Sequence, residues 1–270
     1  MKFSVLISSY CRDNPAELAL ALKSIWNDQI RRPDEIVIVK DGPLTPELDA
    51  VIDGFAQDAP VKIVPLPENR GLGLALAEGV KQCSYELIAR MDGDDISLPD
   101  RFEKQAAFME QNPHIAICGG MIREFAGSPE NITGKRTLPL SDAEIKKFCK
   151  WRSPFNHVTV MFRKAVVCDA GNYQSFLSYE DYWLWARILQ KNFKAANLPD
   201  ILVNVRAGED MLKRRKGWRF FTAEIRLAHK LKTIGLLNTA EMLRNMIFRA
   251  TTRLMPGWIL SMIYNRFCRK

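Results

Sequence analysis

The chain has 270 residues, 47% of them hydrophobic and 26% charged, which excludes disordered, fibrous and collagen-like classes and leaves room for one large α/β domain with an appendage or two small domains. Its six cysteines, Cys11, Cys83, Cys118, Cys149, Cys168 and Cys268, form no C-x-x-C pair and flank no histidine cluster; this excludes the usual zinc frameworks, and a reducing cytoplasm fits better than a secreted disulfide scaffold. The net charge of +8 is unevenly held: residues 206–270 carry 15 Lys/Arg against 4 Asp/Glu, a net of +11, and the first 205 carry 24 against 27, a net of −3.

Phe3–Ser8 is a β-branched, apolar run that predicts a buried strand, and Ser9–Asp13 ends it too soon for a signal-peptide core. Asn14-Pro15 then opens a helix through Leu18, Leu22, Ile25 and Trp26. Glu35–Val39 predicts a second strand, closed by the turn Lys40-Asp41-Gly42-Pro43, and a helix from about Pro46 to Ala56 leads to a third, Val61–Pro65. Asn69–Gly73 is a loop, Leu74 to Val80 continues as a helix, and the strand Tyr85–Met91 runs straight into Asp92-Gly93-Asp94-Asp95. Arg101–Gln111 follows as a helix, Ile115–Ile122 as a strand, Phe125–Leu140 as a Gly/Pro-containing excursion and Val158–Phe162 as a strand. Tyr182–Gln190 is an apolar, aromatic helix that opens just after Glu180-Asp181. Short buried strands alternating with helices predict an α/β fold with a mostly parallel, helix-covered sheet, whose ligands sit beyond the carboxyl ends of its strands.

The tail has a different character. Trp218, Phe221, Ile225, Ala228 and Leu231 lie on one helical face amid Arg219, Arg226, Lys230 and Lys232, and Leu243 to Leu254 predicts a second helix. After Pro256-Gly257 the apolar run Trp258–Tyr264 has basic residues on both sides. No segment reaches the ~18–20 apolar residues that span a bilayer.

The chemistry concentrates at strand ends. Asp92, Asp94 and Asp95 would repel one another without a cation, and hard divalent ions take oxygen ligands and share them with phosphates. A solvated acidic turn capping the next helix is the other reading of the same residues. Asp41 lies on the same sheet edge, placed to accept hydrogen bonds from a base or sugar, and the loop at Asn69-Arg70-Gly71 brings a cation and close backbone approach. Glu180 and Asp181 open a helix rich in aromatic residues; apolar surroundings would make a carboxylate there a useful base, and helix N-termini also favour acids on their own account.

Taken in order, Val5–Tyr10, Ile38–Gly42, Glu68–Gly73, Ala89–Asp95 and Tyr179–Tyr182 resemble the motifs of the family 2 glycosyltransferases, most closely the bacterial O-antigen and exopolysaccharide branch of amylovoran type. The likeness covers about residues 1–216, including Phe155–Met161 and Val205–Arg215. It implies a GT-A fold, a Rossmann-like sheet flanked by helices. Residues of about 1–122 would form the nucleotide-sugar half, about 123–216 the acceptor half, and 217–270 a basic helical extension. By that resemblance Ser8, Ser9 and Tyr10 border the uridine pocket, Asp41 binds the uracil, Arg70 lies near the nucleotide and Asp92 contacts nucleoside or sugar. Asp94 ligates a Mn²⁺ or Mg²⁺ that bridges the diphosphate, and Asp181 is the general base of an inverting displacement. Asn156, His157, Glu180, Arg206, Lys213, Arg214 and Arg215 are candidate contacts to the acceptor or a diphosphate. Two positions depart from the branch: Ala77 stands where an Asn is common, and Gly93 replaces a Thr or Ser, which should loosen the acidic turn.

The implied donor is a UDP-sugar and the implied acceptor a saccharide on polyprenyl diphosphate, reached from the cytoplasmic side of the bacterial membrane. For the basic tail, an interfacial anchor on anionic lipid competes with a helical pair packed on the body and with a nucleic-acid platform, and the enzymatic assignment favours the first. A nucleotidyltransferase is the rival enzyme, although Ser8–Arg12 is no Gly-rich phosphate loop. A non-catalytic membrane- or nucleic-acid-binding protein is the rival from another class, and it leaves the placed carboxylates unexplained.

Overall fold

A computed structural model describes residues 1–207 and 218–254, with side chains to residue 248. The elements in chain order are β1 (Phe3–Ser9), α1 (Pro15–Trp26), β2 (Glu35–Lys40), α2 (Pro46–Phe55), β3 (Val61–Pro65), α3 (Leu72–Gln82), β4 (Leu87–Met91), β5 (Ile96–Ser97), α4 (Arg101–Gln111), β6 (Ile115–Phe125), β7 (Ile132–Arg136), α5 (Asp142–Cys149), β8 (Met161–Arg163), α6 (Lys164–Asp169), α7 (Glu180–Gln190), β9 (Lys194–Arg206), α8 (Trp218–Thr233) and α9 (Thr239–Leu254). The helices start where the sequence offers partners for their free N–H groups. Asn14 accepts from Ala16 and Glu17 ahead of Pro15, Thr45 from Leu48 beside Pro46, and Ser141 with Glu144 forms a reciprocal capping box.

One sheet runs in the order β3-β2-β1-β4-β8-β6-β9-β5, with β7 added to β6. Strands β1 to β4 are mutually parallel, and β8 is antiparallel to both its neighbours, β4 and β6. Helices cover both faces, so the central strands are buried on each. Val5 and Ile7 pack under α1, α2 and α4, whereas Leu6 packs with Leu76, Trp185 and Leu227 from α3, α7 and α8.

Several elements differ from the sequence reading. Val158–Phe162 divides into a 3-10 turn, His157–Thr159, and the short strand β8. The excursion after Phe125 contains β7, hairpinned onto β6. The longest strand, β9, is unforeseen because Asn197, Pro199, Asp200 and Asn204 break its apolar pattern. Its register with β6 shifts between Asn197 and Ile201, so that Pro199, which has no N–H to donate, falls in the irregularity. In the tail, α8 buries Ala223, Leu227, Ala228 and Leu231, while Trp218, expected on that face, is 77% exposed. Helix α9 is fixed to the end of α5 by Lys150–Glu241 (2.9 Å) and by the Asn245 amide donating to the Lys150 carbonyl (2.7 Å). Trp258–Tyr264 lies outside the described residues, and among the described ones no helix is long and apolar enough to cross a membrane.

Candidate active site

Strands β1, β2 and β4 end together, since Ser9 pairs with Lys40 and Ile7 with Met91. The Asp41 N–H donates to the Ser9 carbonyl (2.8 Å) and carries the edge one residue further. Asp41 is 5% exposed; its Oδ1 accepts from the Arg70 N–H (2.7 Å) and its Oδ2 from the Gly71 N–H (3.0 Å). One carboxylate thus anchors the 69–71 loop and keeps a lone pair on each oxygen for a further donor. The approach is close: a Cβ on Gly42 (φ +84°) would fall 2.6 Å from the Asn69 nitrogen. Arg70 and Tyr10 are exposed, and the Tyr10 N–H donates to Asp13 (3.0 Å).

Strand β4 delivers the first acids. Its side chains alternate, so Arg90 lies on the α7 side with Ile88. Arg90 is 1% exposed, ion-paired to Asp92, and its Nε has no hydrogen-bond partner among the described residues. Asp94 projects into solvent, yet burial by its surroundings and then repulsion from Asp92 push its carboxyl up to about 6. Asp95, 4% exposed, is raised further by burial and by both neighbours, and its Oδ1 accepts from the Arg206 N–H (2.8 Å).

Helix α7 brings a second set. Its entry abuts the start of α3: a Cβ on Gly73 would stand 2.6 Å from the Gln174 carbonyl and 3.2 Å from the Glu180 Cβ. Burial, with repulsion from Asp181, raises Glu180 to about 7, and both Arg90 and Asp92 act on it. Arg90 is ion-paired to Asp92 of the first set, and its charge lowers Glu180 of the second against the rise caused by burial. The Ser153 hydroxyl lies 3.5 Å from Asp181 Oδ2 and 3.2 Å from the Phe155 carbonyl, two acceptors for its single proton.

Four of the expected contacts lie as follows. Ser9 is 1% exposed, and its carbonyl accepts from the Asp41 N–H. Asn156, 3% exposed, donates its amide to the Gly120 carbonyl (2.8 Å) and holds the core. His157 shares a 3.0 Å hydrogen bond with the Tyr173 hydroxyl beside Trp185, and burial followed by the Arg90 charge keeps it neutral. Arg206 works as a clasp: its guanidinium meets Glu17 (3.2 Å) and the carbonyls of Asp94 (3.3 Å) and Gly127 (3.0 Å) over the Phe125 ring, so its charge is already matched. Lys213, Arg214 and Arg215 lie outside the described residues. Ala77 is partly buried against the core, and a Cβ at Gly93 would meet only Leu18 closely (3.3 Å).

Among the described residues no three His, Cys, Asp or Glu side chains converge as a preformed metal shell. What the turn offers is one or two hard oxygen donors under mutual repulsion, which fits Mg²⁺ or Mn²⁺ completed by phosphate oxygens. Residues 4–170, more than half of the chain, match Glycosyl transferase family 2. The chain belongs to that family. Among its relatives, the amylovoran biosynthesis glycosyltransferase AmsE of Erwinia amylovora is 42% identical over 98% of both chains. The Escherichia coli UDP-Gal:alpha-D-GlcNAc-diphosphoundecaprenol beta-1,3-galactosyltransferase is 35% identical over 100% of this chain and 97% of its own. A crystal structure of S. aureus TarS 1–349 with UDP-GlcNAc superposes with a TM-score of 0.64 at 18% identity, over 99% of this chain and 74% of the other. The GT-A fold is thereby shared. Membership in glycosyltransferase family 2 makes the chain an inverting sugar transferase and sets aside both the nucleotidyltransferase and the non-catalytic readings.

In this glycosyltransferase, three site residues escaped the sequence reading: Arg90, Ser153 and Tyr173. Arg90 carried a usable signal, a cation inside an otherwise apolar central strand, where burial demands a partner charge. Ser153 and Tyr173 carried none, being polar residues in irregular segments brought to α7 only by the fold.

Proposed function

We propose that the chain moves a hexosyl or N-acetylhexosaminyl group from a UDP-sugar onto a saccharide carried on polyprenyl diphosphate, in bacterial surface polysaccharide synthesis. The reading is carried by the placement of two carboxylate sets, one at the end of β4 held by Arg90 and one at the start of α7 packed against the start of α3. The substrate classes are supported by the galactosyltransferase relative, whose name specifies a UDP-sugar and a diphosphoundecaprenol-linked acceptor. Residues 1–122 would hold the donor, 123–216 the acceptor, and 217–270 would meet the anionic inner leaflet; nucleic acid has no role in this reading.

In this mechanism Asp41 receives the uracil on its remaining lone pairs, between Ser8 and Tyr10, with Arg70 at the rim. Asp92 is oriented by Arg90 toward the nucleoside or sugar. Asp94 would hold the Mn²⁺ or Mg²⁺, which when bound neutralises charge on the departing diphosphate. Asp181 takes the proton of the acceptor hydroxyl as its oxygen bonds to the anomeric carbon. The carbon–oxygen bond to UDP breaks on the opposite face, its electron pair leaving with UDP, and the configuration inverts. General-base removal costs about 10²–10⁴-fold in rate, so Asp181→Asn should lose about that much transfer from UDP-sugars, and Asp94→Ala should lose metal-dependent transfer, each while retaining the native melting transition. Full activity in either would overturn the assignment, and loss in Glu180→Gln alone would move the base to Glu180.

A further inference from the structure

Along α8, Arg219, Thr222, Ala223, Arg226 and Lys230 recur at intervals of three and four residues and share one face. Opposite them runs Ser175–Leu177, and between the two lies a cavity of about 860 Å³. Thr222 and Ala223 are small, which leaves the middle hollow. The lining has two parts. Arg219, Arg226 and Lys230 supply positive charge, and among the described residues neither arginine is held in an ion pair. Phe176, Leu177 and Ile225 supply apolar wall, and the Lys230 ammonium stands 4.8 Å from the centre of the Trp183 ring and 5.9 Å from that of Phe176.

Such a cleft suits a compact polyanion joined directly to a hydrocarbon chain. A free nucleotide would leave the apolar wall wet, and a simple alcohol would leave the two arginines unmatched. Position narrows the choice further. The wall Ser175–Leu177 leads within four residues to Asp181, and the Tyr179 hydroxyl donates to Glu224 of α8 (2.7 Å), so the cleft and the base share one rigid segment.

We propose that the cleft between α8 and Ser175–Leu177 binds the polyprenyl diphosphate of the acceptor, its phosphates on Arg219, Arg226 and Lys230 and its first isoprene units along Phe176 and Leu177. The proposal rests on the lipid-linked acceptor reading and adds the place where the lipid is held. Both arginines are exposed, so their replacement leaves the core intact.

The test uses the full chain and Arg219→Ala/Arg226→Ala, with Arg226→Lys as the conservative variant and farnesyl diphosphate as the probe. Charge-assisted phosphate contacts are roughly twice as strong as neutral hydrogen bonds. Farnesyl diphosphate binding should therefore weaken about 10-fold or more in the double variant and mostly recover in Arg226→Lys, with UDP affinity unchanged. Inorganic diphosphate and farnesol should each bind the wild type at least about 10-fold more weakly than farnesyl diphosphate does. Unchanged farnesyl diphosphate binding in the double variant overturns the site. So does a loss confined to phosphatidylglycerol vesicles, which would assign the cations to bulk headgroups. Absence of UDP-sugar turnover in a wild type that still binds farnesyl diphosphate would instead count against the catalytic reading alone.

Discussion

Arg90 explains why so many acids tolerate one another. A guanidinium at 1% exposure is costly to bury, and the ion pair with Asp92 offsets part of that cost while fixing where the carboxylate points. Arg90→Met should lower kcat/KM about 100-fold, roughly 2.7 kcal/mol of transition-state stabilisation, and raise the donor KM; Arg90→Lys should restore part of both. Steady-state kinetics over varied UDP-sugar checks this, and a variant that only melts earlier, with normal kinetics, would make Arg90 a purely structural residue. Glu180 gives a pH signature. Its carboxyl is raised from an ordinary 4.5 to about 7, by burial first and Asp181 next. The folded chain then holds a proton that the unfolded chain releases, so stability from this group is complete below about pH 4.5 and lost as pH rises through about 7. Glu180→Gln should flatten the decline in melting temperature between those values, by about 1–2 kcal/mol after allowance for solvent screening. An unchanged decline would mean the carboxyl is solvated.

At the scale of elements, the sheet edge at Asp41 depends on β2 and the loop before α3 being tied through its carboxylate. Gly42 permits this with φ +84° and with no side chain to strike the Asn69 backbone. Gly42→Ala should cost about 1–3 kcal/mol of backbone strain and weaken UDP binding more than acceptor binding, measurable by melting and by titration. Much of this level was legible in the sequence. The strands β1 to β4, the helices between them and the acids beyond β2 and β4 follow from short apolar runs ending in turn residues. The part after β6 was less so: β9 hides behind Pro199 and three polar residues, and the capped α5 is only eight residues long. Asn156, His157 and Arg206 read as ligand contacts because the resemblance carries them over, whereas their partners, Gly120, Tyr173 and Glu17, come from distant elements. Sequence pattern reports periodicity and local chemistry; it does not report which distant group already satisfies a polar side chain.

For the molecule as a whole, the basic C-terminal region is part of the body as far as it is described. Leu227 and Leu231 sit in the same cluster as Trp183 and Leu189. A truncation before Gly217 would uncover those side chains, and each Leu-sized loss from a core is worth about 2–5 kcal/mol. The truncated chain should melt well below the full one even in salt that removes any membrane attraction. Equal melting temperatures would show that α8 contributes nothing to the fold. Charge replacements on exposed arginines are therefore the cleaner probe of lipid attraction, since they leave the packing in place.

The hydrogen bond from the Arg206 N–H to Asp95 joins residues 111 apart in sequence. It has a consequence for synthesis. Strand β9 lies between β6 and β5, so the turn that carries Asp92, Asp94 and Asp95 is not braced until the last strand has been made. Contacts of such separation form late and slowly. A nascent chain that ends before residue 206 would therefore carry the Asp92–Asp95 turn without this brace.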